Sequence, residues 1–244
     1  MRIFKRSAAV LLAMALLVLV ASKSPAGAKV KKHDSGQLTR AELKEAERRL
    51  AEMGYLTGRD ISIGLITFQK WEGRKITGRL TRSEFNAIRE ASAPRAKDSG
   101  YMHVEVDLDR QVLLLTDSEG NVKTILPVST GSGKHYKEKR MSGLAYTPRG
   151  RFRIYNKLSG WKRSPLGLLY YPNYFSDGLA IHGNPSVPHS PRSHGCVRIP
   201  MFAASEISRQ LPIGTIVLIY DSQSFVSAKA WAEDDKQKAA KNIP

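Results

Sequence analysis

The chain has a single cysteine, Cys196, among 244 residues. No internal disulfide is possible, so the fold has to rest on its hydrophobic core rather than on covalent staples. Long apolar runs are nearly absent as well. The one that stands out, "AAVLLAMALLVLVA" from Ala8 to Ala21, is shorter than the ~20 residues a helix needs to cross a bilayer. Acidic residues are also few: 22 Asp and Glu face 39 Lys and Arg, a formal net charge of +17. Such a surface is drawn to wall polymers, lipid headgroups or nucleic acid. The cations are scattered in "KVKKH", "AERRL", "KHYKEKR" and "WKR", and no nucleic-acid-binding motif accompanies them. Nucleic acid is therefore not an expected partner.

The apolar run has its own reading. Arg2, Lys5 and Arg6 precede it and Ala26-Gly27-Ala28 follows as an A-x-A site, so residues 1–28 are expected to be a signal peptide. A retained signal-anchor is the alternative. No cysteine stands near the end of the run to take an acyl lipid. The expected location is the periplasm or the cell wall. In an oxidising compartment an odd cysteine is either intermolecular or a working thiol.

Residues 29–37 read as a flexible leader. From Leu38 the pattern turns helical, with Thr39 as N-cap and Leu43, Ala46, Leu50 and Met53 forming one stripe. "IGLITFQKW" is a second helix with Leu65, Ile66 and Phe68 inside. "TRSEFNAIREA" is a third, opened by Thr81 and Glu84 as a capping box. Three short helices over 38–92 make a small bundle. Residues 93–100 are a linker by composition. After it the period becomes two: "MHVEVDLDRQVLLLTD" sets Val104, Val106 and Leu108 on one side and charges on the other. "SEGN" is a turn and "VKTILPVSTG" a return strand, with further strands in "GRFRIYNKL", "GLAIHG" and "GTIVLIYD". "FAASEISRQL" is one late amphipathic helix with Ala203, Ile207 and Leu211 inward. The expected fold class is α+β: a small helical bundle, then a strand-dominated domain over 101–221. A charged tail, 222–244, closes the chain.

Chemistry concentrates in "AIHGNPSVPHSPRSHGCVRIP", residues 180–200. Gly195 removes a side chain just before the thiol, which lets the backbone turn and leaves the Cys196 N–H open to a substrate oxyanion. His194, two residues before Cys196, would share its face in an extended segment. It is close enough to shape the thiol but far for a proton handover. His182 is the better base. It ends the apolar "GLAI" strand, and the Pro- and Ser-rich loop after it can return Cys196 to its side. An imidazolium partner would lower the thiol pKa below ~8.5. No carboxylate lies in this stretch, so a backbone carbonyl has to orient the imidazole. The rivals are a zinc site from His182, His189, His194 and Cys196, for which H-x-C is too tight, and a buried inert thiol. His189, mid-loop, reads as a surface residue.

"IHG" followed by "SHGCVR", with "PVSTG", "TPRGRFRI" and "GTIVLIYD" in order, resembles the L,D-transpeptidase (YkuD-type) catalytic domain from about Tyr101 to Asp221. The helical segment, through "LAEMGYLTG", "TFQKWEG" and "ITGRLTRSEFNAI", resembles a three-helix peptidoglycan-binding domain. The resemblance implies a mostly β catalytic domain with Cys196 as nucleophile and His182 as general base. His194 takes a tuning role, and Gly195 and Cys196 supply oxyanion N–H groups. Gly183, Ser193, Arg198, Tyr174 and Trp161 become candidate substrate contacts, with Arg198 meeting a carboxylate. Tyr170, Tyr171 and Phe175 could line a donor channel. The insertion "GSGKHYKEKRMSGLAY" departs from the pattern and is expected to remodel the cleft. The implied partners are peptidoglycan stem peptides, carbapenem-type inhibitors and a wall-anchored protein acceptor; no metal or cofactor is implied. The acceptor could be a stem amine, a protein lysine or water, and an inactive wall-binding scaffold is the non-enzymatic alternative.

Overall fold

The computed structural model of the protein describes residues 37–58, 60–138 and 141–224. The expected signal peptide, residues 29–36 of the leader and the tail beyond 224 lie outside the described residues. The helical segment comprises α1 (Arg40–Glu52), α2 (Ser62–Trp71) and α3 (Arg82–Glu90). Thr39 starts α1 with a complete capping box: its hydroxyl accepts the Glu42 N–H at 3.3 Å, and the Glu42 carboxylate accepts the Thr39 N–H at 2.8 Å. The box expected at Thr81 is only half made. Thr81 accepts the Glu84 N–H at 3.2 Å, but the Glu84 carboxylate turns to the Arg74 guanidinium. Ala46, Leu50, Met53, Leu65, Phe68, Phe85 and Ile88 are buried together. Leu43, expected in the same stripe, is 40% exposed. Its turn of α1 is tied to α3 by the Glu42–Arg82 ion pair instead of by apolar contact.

The rest of the chain runs β1 (His103–Asp107), β2 (Val112–Thr116), β3 (Val122–Pro127), β4 (His135–Glu138), β5 (Met141–Leu144), β6 (Gly150–Arg153), β7 (Asn156–Lys157), β8 (Trp161–Ser164), β9 (Gly167–Ser176), β10 (Leu179–Asn184), β11 (Val197–Pro200), α4 (Met201–Gln210) and β12 (Ile216–Tyr220). One five-stranded sheet has the order β3-β2-β1-β12-β6, with β1 and β12 parallel. A second has the order β11-β10-β9-β7, with β8 added on β9, and β4 and β5 form a separate hairpin. Val104, Val106, Leu113, Leu115, Val217 and Ile219 of the first sheet pack with Ile181, Val197 and Ile199 of the second and with Ala203, Ala204 and Ile207 of α4. On its other face the first sheet turns Val112, Leu114 and Ile125 into the helices' core. The fold is α+β and mainly β.

The charged face of β1 does not meet solvent as the alternation suggests. His103, Glu105 and Asp107 are as buried as the valines between them. The segment 93–100 is the cover. Glu105 Oε1 accepts the N–H groups of Lys97 at 2.8 Å and Asp98 at 2.9 Å and lies 3.1 Å from His103 Nε2, while Oε2 accepts the Tyr220 hydroxyl at 2.7 Å. A buried carboxylate is tolerated when its lone pairs are filled this way.

Candidate active site

Strands β10 and β11 lie side by side and parallel, with Ile181 opposite Val197 and His182 opposite Arg198. The pleat sorts their side chains. Ile181, Val197 and Ile199 enter the core, while His182, Cys196 and Arg198 border a cleft of about 710 Å³. A backbone hydrogen bond from Ala180, one pleat before His182, reaches the Cys196 thiol. The loop between the two strands thus returns the thiol to the face that carries the imidazole.

His182 Nδ1 lies 2.9 Å from the Gly183 carbonyl oxygen. A carbonyl only accepts, so Nδ1 carries the proton and Nε2 keeps its lone pair. This is the orienting carbonyl that the sequence required. Burial pushes the His182 pKa down to about 4; the Gly183 hydrogen bond works upward, and the Arg198 charge adds to the lowering. Burial also pushes the Cys196 thiol up, against the Ala180 hydrogen bond and Arg198. The resting pair at neutral pH is thiol and neutral imidazole. Burial thus works against the ion pair expected from sequence, since it disfavours the charged form of both groups.

Burial of a neutral His182 has a cost in acid. The unfolded chain takes up this proton near 6.5 and the folded chain only near 4, so stability falls as pH drops between those values. The loss should reach about 3 kcal/mol. Urea midpoints at pH 7 and pH 4 should show it, and a His182→Gln variant should lose visibly less.

The "SHGC" turn is not extended. Gly195 has φ +143°, and a Cβ there would lie 2.7 Å from the Tyr146 carbonyl oxygen and 2.9 Å from Leu179 Cδ2. Thr147 Oγ1 donates to the Gly195 carbonyl at 2.7 Å and accepts the Gly131 N–H at 2.8 Å. Ser193 Oγ donates to the Cys196 carbonyl at 2.6 Å and accepts the Gly195 N–H at 3.0 Å. The Gly195 N–H, expected to face an oxyanion, is therefore spent inside the turn. The Cys196 N–H has no protein acceptor among the described residues. "PVSTG" explains itself here too: Ser129 and Arg198 exchange N–H···O bonds at 3.1 Å, and the Ser193 N–H donates to Thr130 O at 2.9 Å.

The structure sorts the remaining candidates. His194 Nε2 meets Glu138 Oε1 at 2.9 Å, and its ring stands edge-on to Tyr136 at 4.7 Å. Both partners come from β4, so the insertion does reach the cleft, which Tyr136, Met141 and Leu144 line. Glu138 is the group that sequence reasoning missed, since only tertiary folding brings it to His194. Arg198 is half-buried at the cleft and pairs with no carboxylate among the described residues. Tyr174 sits opposite Ala180; burial, then the Cys196 thiol and Tyr155, push its pKa up. Ser193 borders the cleft but keeps its hydroxyl for the turn. Tyr174, Gly183, Gly195 and Trp161 are not among the residues that line the cleft. Gly183 closes against α4, where a Cβ would lie 2.6 Å from that of Ala204, and Trp161 stacks on Tyr170 with half its surface in solvent, outside the cleft lining. The pleat turns position 183 away from 182. His189 lies in another groove, beside Lys70, and no three His, Cys, Asp or Glu side chains converge as a metal set among the described residues.

The model of the YkuD family, described as the L,D-transpeptidase catalytic domain, matches residues 101–219. The L,D-transpeptidase of Xylanimonas cellulosilytica is similar in structure at 34% identity and a TM-score of 0.69, over 76% of this chain and 95% of that one. This chain belongs to the L,D-transpeptidase family. An L,D-transpeptidase of Stackebrandtia nassauensis aligns at 21% identity and a TM-score of 0.47, over 77% of this chain and 94% of that one. An LD transpeptidase in complex with imipenem aligns at 18% and 0.39, over 49% and 58%. No curated protein matches. The cleft of this L,D-transpeptidase-family chain brings together a thiol, a basic nitrogen and, without a protein acceptor or carboxylate among the described residues, the Cys196 N–H and the Arg198 guanidinium.

Proposed function

We propose that the protein is a peptidoglycan L,D-transpeptidase working through a thioacyl-enzyme on Cys196. The observation that carries this is the cleft that His182 of β10, with a lone pair on Nε2, lines together with Cys196 and Arg198 of β11. Cys196 Sγ attacks the carbonyl of the third stem residue in a tetrapeptide donor while its proton passes to His182 Nε2. The Cys196 N–H donates to the oxyanion. Collapse breaks the amide bond, and D-alanine leaves with the proton His182 returns. An acceptor amine then attacks the thioester, gives its proton to His182 and restores the thiol.

Arg198, with no carboxylate of its own, holds a substrate carboxylate, and Tyr174 packs beside the thioester. A stem diamino acid as acceptor makes a 3→3 cross-link, a protein lysine attaches that protein to the wall, and water gives carboxypeptidase or endopeptidase activity. The helical segment holds the wall, and the reaction takes place in the periplasm or at the wall. A carbapenem, whose β-lactam carbonyl meets the same thiol, opens on Cys196.

The test is mass spectrometry. Incubation with imipenem should add its mass to the peptide that carries Cys196, and incubation with sacculi should yield new cross-linked or trimmed muropeptides whose masses identify the acceptor. An unreactive thiol with unchanged muropeptides would leave only the wall-binding scaffold.

A further inference from the structure

Lys70, at the end of α2, is 5% exposed and has no ion-pair partner among the described residues. Its Nζ donates to two main-chain carbonyls, Gln111 O and Val128 O, each at 3.1 Å. A buried ammonium without a carboxylate is costly, so what it holds should matter. These carbonyls mark where β3 leaves its partner. Up to Pro127 the strand pairs with β2, ending at Val112. From Ser129 onward the chain pairs with the cysteine segment instead: Ser129 with Arg198, Thr130 and Ser132 with Ser193.

Gln111 stands at the same point with φ +54°. Its carbonyl accepts both Lys70 Nζ and the Val128 N–H. Its side chain clasps Thr130, Oε1 accepting the Thr130 N–H at 3.0 Å and Nε2 donating to Thr130 Oγ1 at 2.8 Å. Thr130 O accepts the Ser193 N–H, and Ser193 Oγ donates to the Cys196 carbonyl. An unbroken run of hydrogen bonds leads from the helical segment to the backbone of the thiol.

We infer that Lys70 is a positioning residue for acyl transfer at Cys196, fixing the frame that aims the Cys196 N–H and Arg198 at the reacting carbonyl. It makes the helical segment part of the catalytic apparatus as well as a neighbour of it. Burial pushes the Lys70 pKa down to about 8; burial first, and then the Lys70 charge, lowers that of His189 in the same groove. This inference rests on the proposed thioacyl chemistry.

The experiment compares two reactions of Cys196 in the full chain. Acylation by imipenem builds an oxyanion and needs the frame; alkylation by iodoacetamide displaces iodide from carbon and does not. Lys70→Met should slow acylation at least tenfold while alkylation stays within twofold, and Lys70→Arg, which keeps charge and donors, should restore acylation to within threefold. If Lys70→Met fails to fold, Gln111→Met, which removes both side-chain hydrogen bonds to Thr130, breaks the same run one link closer to the thiol and should show the same split. Wild-type acylation in the folded variant, or a parallel fall of both reactions, overturns the inference. A wild-type chain that imipenem cannot acylate would instead overturn the proposed function.

Discussion

Replacing His182 with glutamine should slow the acylation of Cys196 by imipenem a hundred- to ten-thousandfold, the usual loss when a positioned general base is removed. The reason lies in the resting protonation states. Burial holds Cys196 as a thiol, so the nucleophile is not already ionised and must lose its proton during attack. Glutamine fits the site but accepts no proton there. The pH profile carries the sharper signature. With the His182 pKa near 4, wild-type acylation should hold from pH 8 down to about 5 and fall only as the imidazole takes its proton. The variant depends on spontaneous thiolate, so its rate should climb with every unit of pH above neutral. A wild-type acid limb centred near 6.5 would mean that burial does not depress the imidazole and that this account of the base is wrong.

The second large effect is expected at a residue with no side chain. Gly195→Ala places a Cβ 2.7 Å from a main-chain oxygen, Tyr146 O, at a φ of +143°. A carbonyl cannot rotate aside as a flexible side chain would. Backbone strain of about 1–3 kcal/mol adds to an overpacking cost of similar size, so the urea midpoint should report a loss of roughly 2–6 kcal/mol. Relief of the clash moves the peptide that joins Gly195 to Cys196, so acylation should fall more than a hundredfold even at temperatures where the variant stays folded. Gly133→Ala is the control. It also has a positive φ, +71°, but nothing stands within 4 Å of its added Cβ, so it should cost about 1 kcal/mol and leave acylation alone. Wild-type acylation in folded Gly195→Ala would show that the turn tolerates more than its contacts imply.

What could be read beforehand divides along physical lines. Period-two alternation marked 102–117 as extended chain but not the turn at 108–111 that divides it into β1 and β2, while Ala203, Ile207 and Leu211 face inward as their spacing requires. That His182 and Cys196 share one cleft was legible, because the Pro- and Ser-rich loop between them can return one to the other. The fate of Glu105 was not. Its cover is a charged, Pro-containing segment that composition marks as solvent-facing, and the carboxylate is buried because that segment's N–H groups fill its lone pairs. The same holds for Lys70, which by type belongs outside and is retained inside by two carbonyls distant in sequence. The thiol's protonation was misjudged for a related reason: partners can be guessed from spacing, but desolvation depends on everything packed around the site.

Val112, Leu114 and Ile125 pack into the core of the helices, and the described residues belong to one compact unit. A module that anchors an enzyme through a tether leaves the catalyst to search a volume set by tether length, with an effective concentration that falls as the tether grows. Here there is no tether between the helices and the cleft. A ligand held on the helices would stand at a set distance and angle from the thiol, so reach would be decided by geometry.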